Sequence, residues 1–457
     1  MNKLIIFDLD GVLIDSRELH YESLNQALNN VDNQYIISRE EHLSIYDGLN
    51  TTKKLELLAK NKNLPRNVFN QIWEDKQIST FKLIKKFNKD ENLIHIFSRI
   101  KSQGIKIAVA SNSIRETIKL ALLSIGVMEF VDFYVSNEDV KRTKPYPEMY
   151  WKCMTALNVI PRNTIIIEDS HIGRQGAIDS GAHLIPVKDI TDLTDDKINE
   201  ALDILNGITR KHIPWRNKKM NVLIPMAGAG SRFAQAGYTF PKPLIEVNSR
   251  PMIQVVVENL NIDGKHIFII QKEHSVGGNL QTFLNAISPN CVIIEVDALT
   301  EGPACTALLA EQYIDDNPLI IVNCDQIIHD FDVNKLLEFS KVNDADGVLG
   351  AFISTSKKNS YMKLDPQGEV TEIKEKIVIS NTATNGLHFW NNGKDFISSA
   401  KEMIKAGERY NNEFYIAPTY NYLVKNGKKI LPYFYNLHFP IGTPEDLNKY
   451  KELYGHS

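Results

Sequence analysis

Short apolar runs that end in polar side chains recur along this chain, and they constrain its fold more than any other feature. Such runs are typical of strands buried on both faces of a parallel sheet. Segments with helical periodicity separate the runs in both halves of the chain, so the sequence predicts α/β layers. The runs with the clearest polar ends cover residues 4–7, 105–110, 165–167, 221–225 and 318–322.

Asp8 and Asp10 directly follow the first of these runs. Open α/β sheets bind ligands at the carboxyl ends of their strands, and side chains two residues apart on a strand point the same way. Two carboxylates this close repel each other unless a cation or a phosphoryl group joins them. The pair suits a nucleophilic carboxylate with an acid/base carboxylate beside it, although Asp is also an ordinary turn residue.

Three later segments carry further reactive side chains. Ser111 and Asn112 end the second run, Lys144 precedes a proline, and Glu168 with Asp169 ends the third run. Taken singly, they could be a loop hydroxyl, a surface cation and a helix N-cap region. Their order along alternating strand and helix patterns favours a common site.

In this order the segments resemble the four motifs of the haloacid dehalogenase superfamily, above all its β-phosphoglucomutase-like branch. The resemblance covers residues 1–190 and implies a Rossmann-like core with a helical cap at about 16–98. The matching motifs are Asp8-Leu9-Asp10-Gly11-Val12, Ser111-Asn112-Ser113, Lys144-Pro145 and Glu168-Asp169-Ser170.

The resemblance also implies a role for each residue. Asp8 would attack a phosphate ester and form an aspartyl-phosphate, while Asp10 would protonate the leaving oxygen and then activate water. Ser111, with Asn112 beside it, would bind the phosphoryl group, and Lys144 would hold Asp8 ionised. Mg²⁺, which prefers oxygen ligands, would be held by Asp8, the backbone carbonyl of Asp10, Glu168 and Asp169.

The predicted cap departs from the phosphomutases of this branch. Those enzymes carry an arginine that grips a second phosphate, whereas residues 48–52 here read Gly-Leu-Asn-Thr-Thr. Lys53 or Lys54 could take the place of this arginine, but a lysine cannot form the bidentate contact that arginine makes with a phosphate. The difference favours a simple phosphatase over a mutase. His20 and Lys76 occupy places of polar cap residues in the family, but a solvated helix face is the favoured interpretation for both.

A second set of motifs begins at residue 220. Gly228 and Gly230, followed by Arg232, come after the fourth apolar run, and Lys242 stands between two prolines. Glycines let backbone N–H groups approach phosphate oxygens, and arginine can bridge two phosphates. A nicotinamide-binding loop is the competing interpretation, but the third glycine of its motif is missing.

Gly-x-Gly-x-Arg followed by Pro-Lys-Pro-Leu resembles the sugar-phosphate nucleotidyltransferases, over residues 219–457. The resemblance implies a Rossmann-like mixed sheet, a base-reading loop at 301–308 and Asp325 as a Mg²⁺ ligand. It further implies that Glu375, Lys376 and Glu413 contact the acceptor. Two departures matter: Asn391 and Pro440 stand where the family has acids, so the second metal carboxylate is not identified.

The chemistry implied for the second half is nucleotidyl transfer. A phosphate oxygen of the acceptor attacks the α-phosphorus of a nucleoside triphosphate, and pyrophosphate leaves. Arg232 and Lys242 would stabilise the charge developing on the phosphates, and Mg²⁺ on Asp325 would align the attack. We expect a sugar or polyol phosphate as acceptor and favour CTP as donor.

Composition sets further expectations. A net charge of −4 gives no reason to expect nucleic-acid binding, and we find no apolar stretch of the roughly 20 residues that a membrane span needs. The four cysteines lack metal-ligand spacing, which indicates reduced thiols and a cytoplasmic chain. The sequence is compatible with a homo-oligomer.

We divide the chain into a hydrolase domain at 1–190, a linker at 191–219 and a transferase domain at 220–457. The leading hypothesis is a bifunctional enzyme that makes a nucleotide-activated sugar or polyol for surface glycans. In it, the phosphatase acts on a phosphorylated intermediate. The alternatives are a phosphomutase fused to the transferase, or one domain that is a catalytically silent binding or oligomerisation module.

Overall fold

In the computed structural model, the first apolar run is the central strand of a five-stranded parallel sheet. Its neighbours, β2 and β4, flank it on either side in the order β3-β2-β1-β4-β5. All four residues of this strand are fully buried, as expected where both faces of a sheet are covered. The strands are β1 Leu4–Phe7, β2 Lys106–Ala110, β3 Phe133–Val135, β4 Thr164–Glu168 and β5 His183–Pro186.

Helices follow or separate these strands. Three of the first four, α1, α3 and α4, contribute to a small separate apolar core in which Leu24, Leu58 and Ile72 are fully buried. This core lies within the segment predicted as a cap. The helices are α1 Ser16–Asn29, α2 Arg39–Glu41, α3 Thr51–Lys62, α4 Phe69–Ile84, α5 Glu91–Ser102, α6 Arg115–Ser124, α7 Glu148–Ala156, α8 His171–Ser180 and α9 Asp195–Leu205.

A nine-stranded mixed sheet forms the second unit. Seven of its strands run β10-β9-β6-β11-β16-β13-β17, with β16 antiparallel to both neighbours, and β14 and β15 extend the sheet from β16. The strands of this unit are β6 Asn221–Pro225, β7 Glu246–Val247, β8 Arg250–Pro251, β9 Lys265–Gln271, β10 Val292–Val296, β11 Leu319–Val322, β12 Gln326–Ile328, β13 Gly347–Ile353, β14 Tyr361–Leu364, β15 Val370–Lys374, β16 Thr382–Trp390, β17 Ile430–Phe434 and β18 His438–Pro440.

The helices of the second unit cover this sheet. The amphipathic α16, for example, buries Phe396, Ala400 and Met403 at helical spacing. They are α10 Ser231–Gln235, α11 Met252–Leu260, α12 Lys272–Gly278, α13 Leu280–Ile287, α14 Pro303–Leu308, α15 Val333–Val342, α16 Gly393–Ala406, α17 Tyr420–Lys425 and α18 Pro444–Tyr454.

The two units comprise Met1–Ile213 and Pro214–Ser457. The structure describes residues 2–42, 46, 51–207, 219–228, 230–278, 280–365 and 367–454. Residues 48–50 of the cap departure, the side chain of Lys53 and positions 208–218 of the predicted linker lie outside this description. Among the described helices, we find none that combines the length and apolar character needed to cross a bilayer.

The segment predicted as a linker starts with ordered structure. Helix α9 lies within 191–219, and its Ile198, Ala201 and Leu202 are buried in the core that contains β1. Their spacing places all three on one helical face, so the packing of this face ties α9 to the first unit. The domain boundaries remain a prediction.

Candidate active sites

The carboxyl ends of β1 and β4 bring the predicted residues of the first unit together. Asp8 directly follows β1, and its backbone N–H donates to Ile167 of β4 at 3.0 Å. The Lys144 ammonium donates to Asp8 Oδ1 at 2.5 Å and also to Glu168 Oε1. All three side chains are buried, so one lysine lies between two carboxylates out of contact with bulk water.

Asp10 is held by two hydroxyl groups from the segment after β2. Ser111 Oγ and Ser113 Oγ donate to Asp10 Oδ2 at 3.0 and 2.9 Å. The buried Asp10 Oδ1 has no hydrogen-bond partner among the described residues. One oxygen of Asp10 is therefore fixed, while the other is available for proton transfer. Asn112 contributes by accepting the backbone N–H of Lys144 at 3.2 Å.

Two glycines make room for the carboxylates. A Cβ atom at Gly11 would lie 2.1 Å from Asp169 Oδ2, and one at Gly173 would lie 2.0 Å from Glu168 Oε1. Oxygen atoms of Asp8, Glu168 and Asp169 come within 4.8 Å of one another. Such a group of oxygen donors suits Mg²⁺.

Glu168 is already occupied by protein donors. Besides Lys144, it accepts Tyr150 Oη at 2.9 Å and both the N–H and the hydroxyl of Ser170 at 3.2 Å. Four donors saturate most of the lone pairs of one carboxylate. Glu168 is thus better placed to orient Lys144 than to contact an ion. No sequence pattern had indicated the contact that Tyr150 makes with it.

The proton affinities of this cluster reflect burial and like charge. Burial and then the neighbouring Glu168 raise the pKa of Asp169 to about 7. Burial also raises the pKa of Asp8, and Lys144 opposes this shift. Although burial lowers it, the pKa of Lys144 is raised overall by Asp8 and Glu168. The carboxylates therefore require a further cation to ionise together.

The expectation of a solvated helix face is wrong for Lys76 and His20. Lys76 is only 7% exposed, and burial lowers its pKa while Asp10 raises it. Burial, followed by Lys76, lowers the pKa of His20 to about 3, and Asp10 again opposes the shift. Lys54 is also buried and acts electrostatically on His20. These cap side chains thus face the acidic site; helical periodicity alone could not distinguish that face from solvent.

In the second unit, the glycine turn links β6 to α10. Gly230 adopts φ 59°, a left-handed conformation that a side chain disfavours, and Arg232 stands in the first turn of α10. Gly228, Gly230 and Arg232 line a cavity of about 520 Å³. Its wall also contains Lys242, Asp325, Lys376 and Glu413.

Lys242 and Asp325 form an ion pair in this cavity. Burial lowers the pKa of Lys242, but Asp325 raises it overall. Asp325 follows β11, and a Cβ at Gly442 would lie only 2.3 Å from its Oδ2. The glycine after the β18 segment therefore permits this carboxylate to occupy its place.

Lys376 and Glu413 are joined by a tyrosine that the sequence did not single out. Lys376 Nζ donates to Tyr415 Oη at 2.7 Å, and Tyr415 Oη donates to Glu413 Oε2 at 2.5 Å. Glu375 is buried and accepts the hydroxyl of Ser360. Burial raises the pKa of Glu375. Lys376 and Glu413 therefore line the same cavity as the glycine turn, whereas Glu375 lines a second cavity that also includes Lys376.

Asn391 does not lie near Asp325. It follows Trp390, which pairs with Leu319 at the start of β11, whereas Asp325 comes after the other end of that strand. Pro440 does lie near: it pairs with Gln326, and Ile441 N–H donates to Asp325 O at 2.8 Å. Of the two positions where an acid was expected, only Pro440 could have placed one at this site.

Comparisons with known proteins match both units. Residues 221–454, just over half of the 457, match the family model described as Nucleotidyl transferase. The chain belongs to the nucleotidyl transferase family. Residues 5–187 match the model described as Haloacid dehalogenase-like hydrolase. The chain is therefore an enzyme that fuses a haloacid dehalogenase-like domain to a nucleotidyltransferase domain, as the motifs predicted, and the α/β fold class is confirmed.

Individual relatives resemble one half each. The curated protein "Pyrophosphatase PpaX" of Bacillus cereus is 28% identical over 230 residues, which cover 45% of this chain and 97% of the relative. A nucleoside-diphosphate-sugar pyrophosphorylase from Vibrio cholerae RC9 is 24% identical, with a TM-score of 0.45, and covers 50% of this chain and 99% of its own. A β-phosphoglucomutase from Clostridium difficile is 23% identical, with a TM-score of 0.36, and covers 46% and 100%.

Proposed function

We propose that the nucleotidyltransferase unit couples a nucleoside triphosphate to a sugar or polyol phosphate and releases pyrophosphate. One observation carries this proposal: the glycine turn, Arg232, Lys242 and Asp325 share one cavity with Lys376. Backbone N–H groups and two cations would hold the triphosphate, and they would stabilise the charge that moves onto the departing pyrophosphate. Lys376 would bind the acceptor phosphate.

Asp325 suits a magnesium ion that also takes oxygens from the nucleotide. It is a single carboxylate, and Lys242 pairs with it, which holds its oxygens towards the cavity. Bound there, Mg²⁺ would offset negative charge on the phosphate oxygens. The remaining ligands would come from substrate and water, as is common for Mg²⁺ sites.

The substrates are proposed from the wider pattern. We favour CTP as donor, a product used for surface glycans such as capsule or lipopolysaccharide, and a cytoplasmic location. The fusion of the two domains supports a common pathway, because a phosphatase can remove a phosphate from a precursor or product of the transferase.

For the first unit we propose hydrolysis of a phosphate ester through an aspartyl-phosphate. Asp8 would attack phosphorus, and Lys144 would keep it ionised and aimed. The free oxygen of Asp10 would donate a proton to the leaving group and later accept one from water. Ser111 and Ser113 would hold Asp10 in position for both transfers.

Asp8 and Asp169, with the backbone carbonyl of Asp10, would hold Mg²⁺ in this unit. The ion would supply the missing positive charge among the carboxylates and on the phosphoryl oxygens. We assign Glu168 to the positioning of Lys144, because its oxygens already accept four protein donors.

Pyrophosphate is a second candidate substrate for the hydrolase unit. Its relative from Bacillus cereus is named a pyrophosphatase, and pyrophosphate is the product of the proposed transfer. The buried cations Lys54 and Lys76 also suit a small substrate with two anionic groups. Hydrolysis of pyrophosphate would make the transfer irreversible.

Product analysis can test both proposals in one panel. Purified protein with Mg²⁺, each of the four nucleoside triphosphates and a series of sugar and polyol phosphates should release pyrophosphate for one pair. The panel should be repeated in an Asp8→Asn background, where pyrophosphate would accumulate if the hydrolase unit consumes it. Asp325→Asn should lose the transfer, whereas the exposed control Asp344→Asn should retain it.

Two results would redirect the account. Exchange between sugar 6- and 1-phosphates without free phosphate would favour the phosphomutase alternative. The two single variants Asp8→Asn and Asp325→Asn are assayed separately. If neither lowers any activity, the alternative in which one domain is a catalytically silent module is favoured. The buried Lys144, which donates to both Asp8 and Glu168, argues for a working site in the first unit.

A further inference from the structure

Tyr150 is fully buried beside the hydrolase site and contacts two of its charged groups. Its hydroxyl lies 2.9 Å from Glu168 Oε1 and 3.3 Å from the carbonyl oxygen of Gly173. The Lys144 ammonium lies over its ring, 5.4 Å from the ring centroid, where a cation is attracted to the aromatic face. One side chain therefore contacts both the lysine that holds Asp8 and the carboxylate that competes with Asp8 for that lysine.

Helix α7 carries Tyr150 and is fastened to the segment that leads to Lys144. In its first turn, Glu148 accepts the backbone N–H groups of Lys141 and Arg142, each at 2.9 Å. Tyr150 stands two residues further along the same helix. The backbone before the lysine and the ring beside its ammonium are thus held by one helix.

A glycine in α8 lets the ring approach the site. A Cβ atom at Gly176 would lie 3.1 Å from Tyr150 Cε2 and 3.1 Å from the carbonyl oxygen of Pro145. Contacts this short are tighter than ordinary van der Waals packing, so a larger residue would displace the ring or the carbonyl group. The position of Tyr150 is therefore set by close packing between α7 and α8.

The hydroxyl of Tyr150 acts as a donor. Burial and then the neighbouring Glu168 raise the pKa of Tyr150 well above its ordinary value, so the phenol keeps its hydrogen. That single hydrogen faces two acceptors, and the nearer, charged oxygen of Glu168 accepts it more strongly than the carbonyl oxygen of Gly173. Glu168 therefore has a donor that carries no charge.

The charge balance of the site explains what a neutral donor contributes. Asp8 and Glu168 share the ammonium of Lys144, one cation for two buried carboxylates. Since a buried oxygen without donors costs free energy, a carboxylate with few other partners would draw the shared cation towards itself. Tyr150, together with the N–H and hydroxyl of Ser170, supplies other donors to Glu168. The ammonium is then left closer to Asp8.

We propose that Tyr150 is a positioning residue of the hydrolase that keeps Lys144 aligned on Asp8 during the attack on phosphorus. Its hydroxyl satisfies Glu168, and its ring faces the ammonium. This inference rests on the proposed hydrolase function and adds a residue to it. In the step concerned, Asp8 forms its bond to phosphorus while the bond to the leaving oxygen breaks. Tyr150 acts on this step only through the lysine and the second carboxylate.

The test measures the covalent step in the full chain, with Mg²⁺ and ³²P-labelled acetyl phosphate as phosphoryl donor. Rapid acid quenching gives the rate constant of labelling at saturation and the half-saturating concentration. Tyr150→Phe keeps the ring and removes the hydroxyl; it should lower the rate constant about tenfold and change the half-saturating concentration less than about twofold. Tyr35→Phe, at a buried position of the cap core, is the matched control and should change neither value.

A double-mutant cycle shows whether the hydroxyl acts through Glu168. In a Glu168→Gln background, where the lysine no longer serves two carboxylates, Tyr150→Phe should slow labelling less than about twofold. Losses that multiply, or a Tyr150→Phe variant as fast as wild type, would overturn the positioning role and leave the hydrolase function intact. A Glu168→Gln chain that takes up no label would also overturn it, because Glu168 would then serve the metal.

Thermal unfolding shows whether each variant folds. Should Tyr150→Phe not fold, Gly176→Ala carries the same test, because its methyl group displaces the ring. Labelling of Gly176→Ala at the wild-type rate would then overturn the proposal. A wild-type chain that takes up no label would overturn the aspartyl-phosphate route and the positioning role together.

Discussion

The two units handle phosphate with opposite electrostatic designs. The first concentrates Asp8, Glu168 and Asp169 around one buried lysine, and Tyr150 and Ser170 also donate to Glu168. The second sets a single acid, Asp325, among a glycine turn and cations at the wall of a wide cavity. A protein carboxylate that takes up the phosphoryl group itself requires the first arrangement. Transfer between two bound substrates requires room and positive charge, which the second provides.

The difference also appears in how each site obtains its geometry. In the first unit, adjacent parallel strands deliver Asp8 and Glu168 to one edge of the sheet. In the second, close backbone approaches at Gly302 and Gly442 shape the cavity, since a Cβ there would lie 2.5 Å from Phe414 N or 2.3 Å from Asp325 Oδ2. Strand order alone therefore locates the first site better than the second.

The largest expected effect tests the nucleophile. Asp8→Asn should lower phosphate release by about 10⁴-fold or more, because an amide cannot form the covalent intermediate. Nucleotidyl transfer should be unchanged, because that chemistry uses other residues. Phosphate and product nucleotide are measured on the same preparation, with the exposed Asp203→Asn as control. Phosphate release by Asp8→Asn near the wild-type rate would show that Asp8 is not the nucleophile.

The next largest effect tests Lys242, one of the two cations proposed to hold the triphosphate. Lys242→Met should lower the rate of transfer about 10²- to 10³-fold, as for the loss of one group that stabilises developing charge. Hydrolysis by the first unit should continue. The exposed Lys363→Met provides the matched control, and initial rates at saturating substrate are the readout. Equal losses in both variants would indicate a general effect of positive charge.

Acid should lower the stability of the second unit through the buried His388. The pKa of His388 falls from 6.5 to about 3 on burial, so the unfolded chain binds the proton first and stability is lost as pH falls below 6.5. At pH 5 this amounts to about 2 kcal/mol. Unfolding of wild type and His388→Phe at pH 7 and pH 5 measures it. The variant should lose less stability; an equal loss in both proteins would contradict the assignment.

The smallest effect concerns the difference between the two units in their affinity for Mg²⁺. After EDTA has removed the ion, readdition of Mg²⁺ should restore phosphate release before nucleotidyl transfer. The half-saturating concentration should be about tenfold lower in the first unit, because more carboxylates surround that site. Titrating both reactions with Mg²⁺ under one set of conditions gives the two values. A reversed order would show that the nucleotide, and not the protein, dominates the binding of the ion.

Much of the first site could be predicted because parallel strands deliver their ends to one edge. The side chains of Asp8 and Glu168 follow from that rule once their runs are recognised as strands. Ser113 belongs to the recognised motif but was given no role, because only the fold shows that its hydroxyl group and that of Ser111 both reach Asp10. Burial of Lys76 depends on how the cap packs, which helical periodicity does not encode.

The second site could be predicted only in part. The glycine turn, Lys242 and Asp325 have local sequence patterns, and the structure places them around one cavity. Asn385 and His388 both line the larger cavity of this unit, because the register of β16 shifts between its pairs with Leu349 and Ala351 of β13. A strict two-residue period would have placed them on opposite faces of the sheet. For Asn391 the motif was misleading. Its position in the motif predicted that it lies near the metal ligand Asp325, but the strand register places it at the opposite end of β11.

Covalent labelling tests most directly the claim that the two units use different phosphate chemistry. The chain is mixed with Mg²⁺ and either ³²P-labelled acetyl phosphate or nucleoside triphosphates labelled at the α-phosphorus, then quenched in acid. We predict label on Asp8 from acetyl phosphate, lost in Asp8→Asn, and no covalent label from any triphosphate. Label that persists in Asp8→Asn, or a nucleotidyl group attached to the second unit, would contradict the account.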